Sequence, residues 1–434
     1  MNKFRFKENI GLERYQLSYA YYVMVALSYV AAMFSSFIRP GIIASSLLCL
    51  IWVQLLAILY FEMKDRRMGI KAAFATMNTI DILAFMYFVY NFLSVIWCTA
   101  FGMPFSVWAG EFVTGIFTMA FYVAGRIAKE SFRDKFYSWF IAAVYILGII
   151  GVILFIWGPQ FYLDYLLHAD LISKADIGTM RVRMHSVTGS IQLGYVSVAA
   201  MLGAVHFIMN SKGKKGKLLL LGAMLFAFLS NQRSAMVVAI LVLLYINYLV
   251  FFVYRLFDKK YFAIECAAFG GVFVLMCVIL SSAIMKVYYR LVSLPGAIGQ
   301  RSDQWIGAIN NMFSLWLGNG LGANGHRANG ISEHMIADGG LAKLFVEMGV
   351  IGTAIFIYMM ILCFKYAIRD LSICAAECGI IAVTLLTSIG SNILTFQLAT
   401  PIFWFAVGVI AATCKDHDVV RSGAELEQVD FQEH

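Results

Sequence analysis

Four arginines and one pair of acid–base candidates stand out in a chain that carries little charge. Arg233 lies in the turn Ser230-Asn231-Gln232-Arg233-Ser234, between two apolar runs. Arg290 and Arg301 punctuate YYRLVSLPGAIGQRSDQW, and Arg183 belongs to MRVRMHSVTGSIQLGY with Arg181, His185 and Ser186. His334 and Asp338 fall in EHMIADGGLAKLFVEMGVIG, residues 333–352, where an apolar stretch begins. A guanidinium group presents a planar fork matched to phosphate oxygens and stays charged at any working pH. Several of them converging, with few acids nearby, suit a pyrophosphate. Each taken singly reads as well as a solvated loop charge or a snorkelling side chain. If residues 334–338 are helical, His334 and Asp338 share a face and serve an acceptor hydroxyl as base and partner. Two other readings stay open: Asp338 works alone with His334 facing solvent, or Asp338 merely begins a helix and favours its dipole.

The elements that position these residues are membrane spans. The 434 residues are 61% hydrophobic and 13% charged, whereas a soluble domain carries about 25% charge. Apolar runs near 20 residues recur from Leu17 to Thr413, the length a helix needs to cross a hydrocarbon core. The fold class expected is an all-α polytopic membrane protein of about twelve helices, at 17–37, 41–61, 76–98, 111–126, 137–157, 190–210, 218–231, 235–254, 262–284, 344–364, 372–391 and 398–413. This divides the chain into a tail (1–16), nine spans (17–284), a long loop (285–343), three spans (344–413) and a second tail (414–434). The first apolar stretch lacks a small-residue cleavage site and reads as a span, not a signal peptide. The eight cysteines form no CxxC pair and read as small buried hydrophobes.

Lys and Arg sort between the two sets of connections, 23 of the 33 on the side that holds both termini. By the positive-inside rule both termini are cytoplasmic, and the four arginines, His334 and Asp338 face outward. That sorting accounts for the net charge of +8 without nucleic acid as a partner. The second outside loop carries SDQWIGAINNMFSLWLG at amphipathic helical spacing, then the glycine-rich GNGLGANG. The apolar run before Ser230 is short; 14 residues reach ~21 Å of a core of ~30 Å. The Arg233 turn therefore belongs below the outer lipid plane, where irregular backbone survives only against protein or a cavity. Asp81, Glu265, Glu377 and His206 lie close to cytoplasmic span ends and are expected to reach the interface. His168, Asp164 and Asp170 lack metal-ligand spacing.

NQRSA, GQRSDQW with the following LGNGLG, and DGGLAKLFVEMGVIG occur in the order found in bacterial O-antigen polymerases and O-antigen ligases, and the chain from about Arg181 onward resembles that family. RMHSVTGSIQLGY is similar to an arginine-containing motif before the sixth span of many polymerases. The resemblance implies a GT-C-like, metal-independent glycosyltransferase without cofactor in the bacterial inner membrane, with a partly helical periplasmic loop between spans nine and ten. It implies undecaprenyl-pyrophosphate-linked oligosaccharide as donor and acceptor, the lipid bilayer as surroundings, and a chain-length regulator and a flippase as further partners. By resemblance Arg233 and Arg301 bind the leaving pyrophosphate, with Arg183 and Arg290 as helpers, and Asp338 and His334 are the catalytic candidates. One departure matters: Asp338-Gly339 stands where ligases have His-Asn, which favours polymerase over ligase. A lipid-linked oligosaccharide flippase or a scaffold are the readings from other classes.

Overall fold

In this computed structural model the structure describes residues 46–53, 56, 77–127, 130–157, 159–168, 183–209, 213–255, 267, 270, 271, 294–396 and 398–413. Helix is the only regular secondary structure among them. In chain order the main helices are α1 (Thr79–Ala100), α2 (Phe105–Arg126), α3 (Phe132–Ile156), α4 (Ser190–Ile208), α5 (Gly213–Leu229), α6 (Arg233–Val253), α7 (Leu294–Asn310), α8 (Gly340–Arg369), α9 (Leu371–Gly390) and α10 (Thr400–Thr413). Seven of these, α1 to α4, α6, α8 and α9, are long and apolar enough to cross a membrane; α5 and α10 are apolar but shorter. Helices dominate because in hydrocarbon every backbone N–H and C=O must be satisfied within the segment. The expected span 17–37, and most of 41–61 and 262–284, lie outside the described residues.

Helix α4 is the hub. Over its apolar window it is 83% buried, against 33% for α1 and α6, and it packs on α3, α5, α6 and α9. Its small residues make this possible: a Cβ on Gly194 would stand 2.8 Å from Ala235 Cβ and from Ser230 Oγ. Without a solvent-driven hydrophobic effect, such close backbone approach is the main source of packing energy between spans.

The loop before α8 packs against the spans. Helix α8 starts at Gly340 and breaks at Gly349, where φ is +61° and ψ −167°. Residues 315–320 lie against that break. Asn319 N–H donates to Val346 O and Gly320 N–H to Glu347 O, both at 2.9 Å. In return Val350 N–H donates to Leu315 O (2.9 Å) and Ile351 N–H to Trp316 O (3.2 Å). The hydroxyl of Tyr90 on α1 lies 2.7 Å from Met348 O and 3.0 Å from Leu317 O. The glycine-rich loop thus supplies the backbone partners that the broken helix lacks. Glycine is required on both sides: a Cβ at Gly318 would fall 2.4 Å from Glu347 O, and one at Gly349 2.5 Å from Gly318 N.

The described acids expected to reach an interface, Asp81 and Glu377, are buried and paired within the protein. Asp81 is buried and paired with Arg126 (Nε–Oδ1 3.0 Å), accepts from the Tyr122 hydroxyl, and closes a capping box with Asn78. Glu377 is fully buried between Arg133 and Tyr137. His206 Nε2 lies 2.5 Å from Asp134 Oδ1. Local ion pairs satisfy these groups more closely than snorkelling would. Glu265 lies outside the described residues, and of the five described cysteines four are buried while Cys49 is exposed.

Candidate functional site

The arginine turn forms as its sequence suggests. Helix α5 ends at Leu229, Asn231 takes a positive φ of 48°, and Gln232 turns extended before α6 begins at Arg233. Ser230 and Asn231 are buried against protein, as irregular backbone at membrane depth must be. Gln232 makes no side-chain cap on α6; its amide donates instead to Ser190 Oγ at the start of α4. The segment before α4 runs beside the turn, with Met184 N–H donating to Leu229 O at 3.1 Å. Arg183, one residue earlier, is partly buried, and its Nε is enclosed without a hydrogen-bond partner.

Helix α7 brings Arg301 to the same end of the bundle. Spaced at one and two turns, Arg301, Trp305 and Ala308 share a face, and Ala308 is fully buried. Arg301 Nη2 donates to Asp338 Oδ2 at 2.8 Å, with both side chains about a third exposed (35% and 36%). Trp305 Nε1 donates to the Asp338 carbonyl at 2.8 Å. Arg301 also reaches the end of α9, its Nη1 lying 3.6 Å from where a Cβ on Gly390 would stand. Arg233 and Arg301 are close enough for their like charges to act on each other. The structure therefore gathers Arg233, Arg301 and Asp338, with Arg183 on the segment that adjoins the turn. Arg290 lies outside the described residues.

One expectation is overturned. Residues 334–339 are not helical, so His334 and Asp338 do not share a helical face. Asn392 Nδ2 holds this non-helical segment by donating to Ile336 O and Ala337 O, each at 3.0 Å. His334 is turned toward α7 instead, its Nδ1 3.8 Å from the Cβ position of Gly307, and its carbonyl accepts from Asn324 at 2.8 Å. The departure at Gly339 also gains a physical reason: φ there is +123°, and a Cβ would fall 2.5 Å from Trp305 Nε1.

A second cluster escaped the sequence reading. Glu111 on α2 and Lys343 on α8 form a buried ion pair, and Lys343 Nζ lies 3.3 Å from Glu347 Oε2 one turn on. Arg327 Nε approaches Glu111 Oε2 at 3.7 Å, and Asn324 N–H donates to Glu347 Oε1 at 3.1 Å. Glu111 directly precedes a π-helical turn at Phe112–Ile116, a local irregularity often found at functional sites. These charges line a cavity of about 40 Å³ with Gly340 and Asn392. The available signals were an acid within six residues of a span's start and a Lys–Glu pair at i,i+4 spacing. Searches against protein-family models and curated proteins return no match to this chain.

Proposed function

We propose that this chain is a polysaccharide polymerase of the bacterial inner membrane, a metal-independent glycosyltransferase with twelve spans in a GT-C-like arrangement and both termini cytoplasmic. It moves a growing glycan from undecaprenyl pyrophosphate to the sugar of another lipid-linked repeat unit at the periplasmic face. The observation that carries this reading is the Arg301–Asp338 pair at 2.8 Å, with the charge of Arg301 acting on Arg233 at the start of α6. The start of a helix favours an anion. As the bond from the sugar's anomeric carbon breaks, charge develops on the diphosphate, and fixed positive groups stabilise it. Arg183, with its enclosed and unpartnered Nε, extends the same site. Asp338 orients Arg301 and borders the side from which the acceptor arrives.

The rival within the family, ligation of glycan to lipid A core, differs in its acceptor alone. The test is chromosomal replacement by Arg233→Ala or Arg301→Ala with surface polysaccharide resolved by length. Loss of one such stabilising group lowers turnover about 10²–10³-fold, so long chains should disappear and single repeats remain on core. Absence of all antigen from core would assign ligation. Normal long-chain polymer in both variants would reject either transfer.

A further inference from the structure

We infer that the turn after α7, residues 313–317, dips into the hydrocarbon of the adjoining leaflet and presents Phe313, Leu315 and Trp316 to acyl chains. The inference does not rest on the polymerase reading. The three side chains are 50%, 55% and 62% exposed, an apolar knuckle that marks a contact with something other than water. Residues 304–325 include no charged side chain, so the knuckle lacks the polar rim of a protein interface. Its depth follows from α8. Leu315 O and Trp316 O accept from Val350 and Ile351 N–H, which sets the knuckle level with those residues. The far end of α8 closes on Arg369, half exposed and beside Asp370, and such a charge stands outside hydrocarbon. Ile351 lies 18 residues from Arg369, so at ~1.5 Å per residue it is at most ~27 Å away, and less with any tilt. The hydrocarbon core is ~30 Å thick. The knuckle therefore falls within it.

The backbone of the turn agrees. Irregular chain survives at membrane depth only where protein satisfies its polar groups. Phe313 N–H donates to Asn319 Oδ1 at 2.6 Å and Leu317 N–H to Ser314 Oγ at 3.2 Å. The N–H groups of Gly318, Asn319 and Gly320 donate to Ser314 O, Val346 O and Glu347 O, and that of Leu321 to Ser94 Oγ. Leu317 O accepts from the Tyr90 hydroxyl. A loop in water could leave such groups to solvent; this one turns its backbone to the bundle and its apolar side chains away from it. The surface around the knuckle is that of a span. Ile351, Tyr358 and Ile361 are exposed along one stripe of α8, the face that a membrane helix turns to lipid, and the stripe begins beside Trp316. On the other side the Phe313 ring lies 6.2 Å from that of Phe101, just past the end of α1. Acyl chains that cover the spans thus cover the knuckle as well.

The experiment uses purified full-length protein in nanodiscs whose lipids carry a nitroxide at mid-chain or on the headgroup, with iodide as the quencher in water. The emission of Trp316 is the difference between wild type and Trp316→Phe, a variant that keeps a ring at the site. That emission should lose most of its intensity to the mid-chain label, less to the headgroup label and none to iodide. Phe313→Trp adds a reporter to the wild-type chain; its extra emission should show the same order of quenching, and it decides the matter if Trp316→Phe fails to fold. Stronger quenching by the headgroup label or by iodide would put the turn above the hydrocarbon and overturn the inference. Protection from all three quenchers would mean that a second copy of the chain or another protein covers the knuckle, and would overturn it equally.

Discussion

Arg301 and Asp338 illustrate how far residue types alone can be read. Each alone has a bland explanation, and both were legible as candidates because a fork-shaped cation and a carboxylate fall in ordered motifs at the edge of apolar runs. Their contact was not, because 37 residues separate them and their approach depends on Trp305 capturing the Asp338 carbonyl. Glu111 escaped for a different reason: the span was expected to begin at 111, whereas α2 begins six residues earlier at Phe105. The helix therefore carries the acid inward to Lys343. A prediction follows for Asp338, which on the proposed function would compete with a bound diphosphate for Arg301. Asp338→Asn should lower donor KM several-fold while reducing kcat, because the arginine is freed but no longer oriented. Steady-state kinetics of the purified variant check this; a raised donor KM, like that of Arg301→Ala, would show that the pair does not compete with the donor.

At the scale of elements, periodicity placed most helices and backbone geometry decided the rest. The amphipathic spacing of SDQWIGAINNMFSLWLG marked the second half of α7, and the spans expected at 190–210 and 372–391 became Ser190–Ile208 and Leu371–Gly390. What periodicity could not reveal is that GNGLGANG packs into a break in α8, since hydropathy carries no information about backbone hydrogen bonds 30 residues away in sequence. Nor could it show that residues 334–339 are not helical, with Asn392 on two of their carbonyls and a positive φ at Gly339. The break itself is testable. At φ +61° and ψ −167°, Gly349 occupies a region essentially restricted to glycine, and an added Cβ would clash with Gly318 N and Trp316 O at 2.5 Å. Gly349→Ala should cost at least ~2 kcal/mol, seen as a lower unfolding midpoint in detergent. An unchanged midpoint would mean that the loop and α8 are not locked together.

Across the whole molecule, charge is treated differently at the two ends of the bundle. Helix α9 shows both: near its start Glu377 is enclosed by Arg133 and Tyr137, and at its end Gly390 faces Arg301. The Glu377 end is closed on itself. Arg133 Nε and Nη2 donate to the two carboxylate oxygens at 2.8 and 2.6 Å, and Nη2 also donates to Ile373 O at 2.7 Å. The pair joins α3 to α9. A transporter would need such inner charges to change partners as cargo passes. Removing one partner of a buried pair leaves an uncompensated charge and costs ~3–5 kcal/mol, while replacing both with apolar residues of similar volume is often neutral. Glu377→Leu alone should therefore destabilise strongly, and Arg133→Met with Glu377→Leu should recover most of the loss in a double-mutant cycle. The double variant should also keep the wild-type donor KM, because the clamp lies at the opposite end of α9 from Arg301. A stable double variant that binds donor but no longer turns over would place the inner pair in the working cycle and favour passage through the bundle over transfer at its mouth.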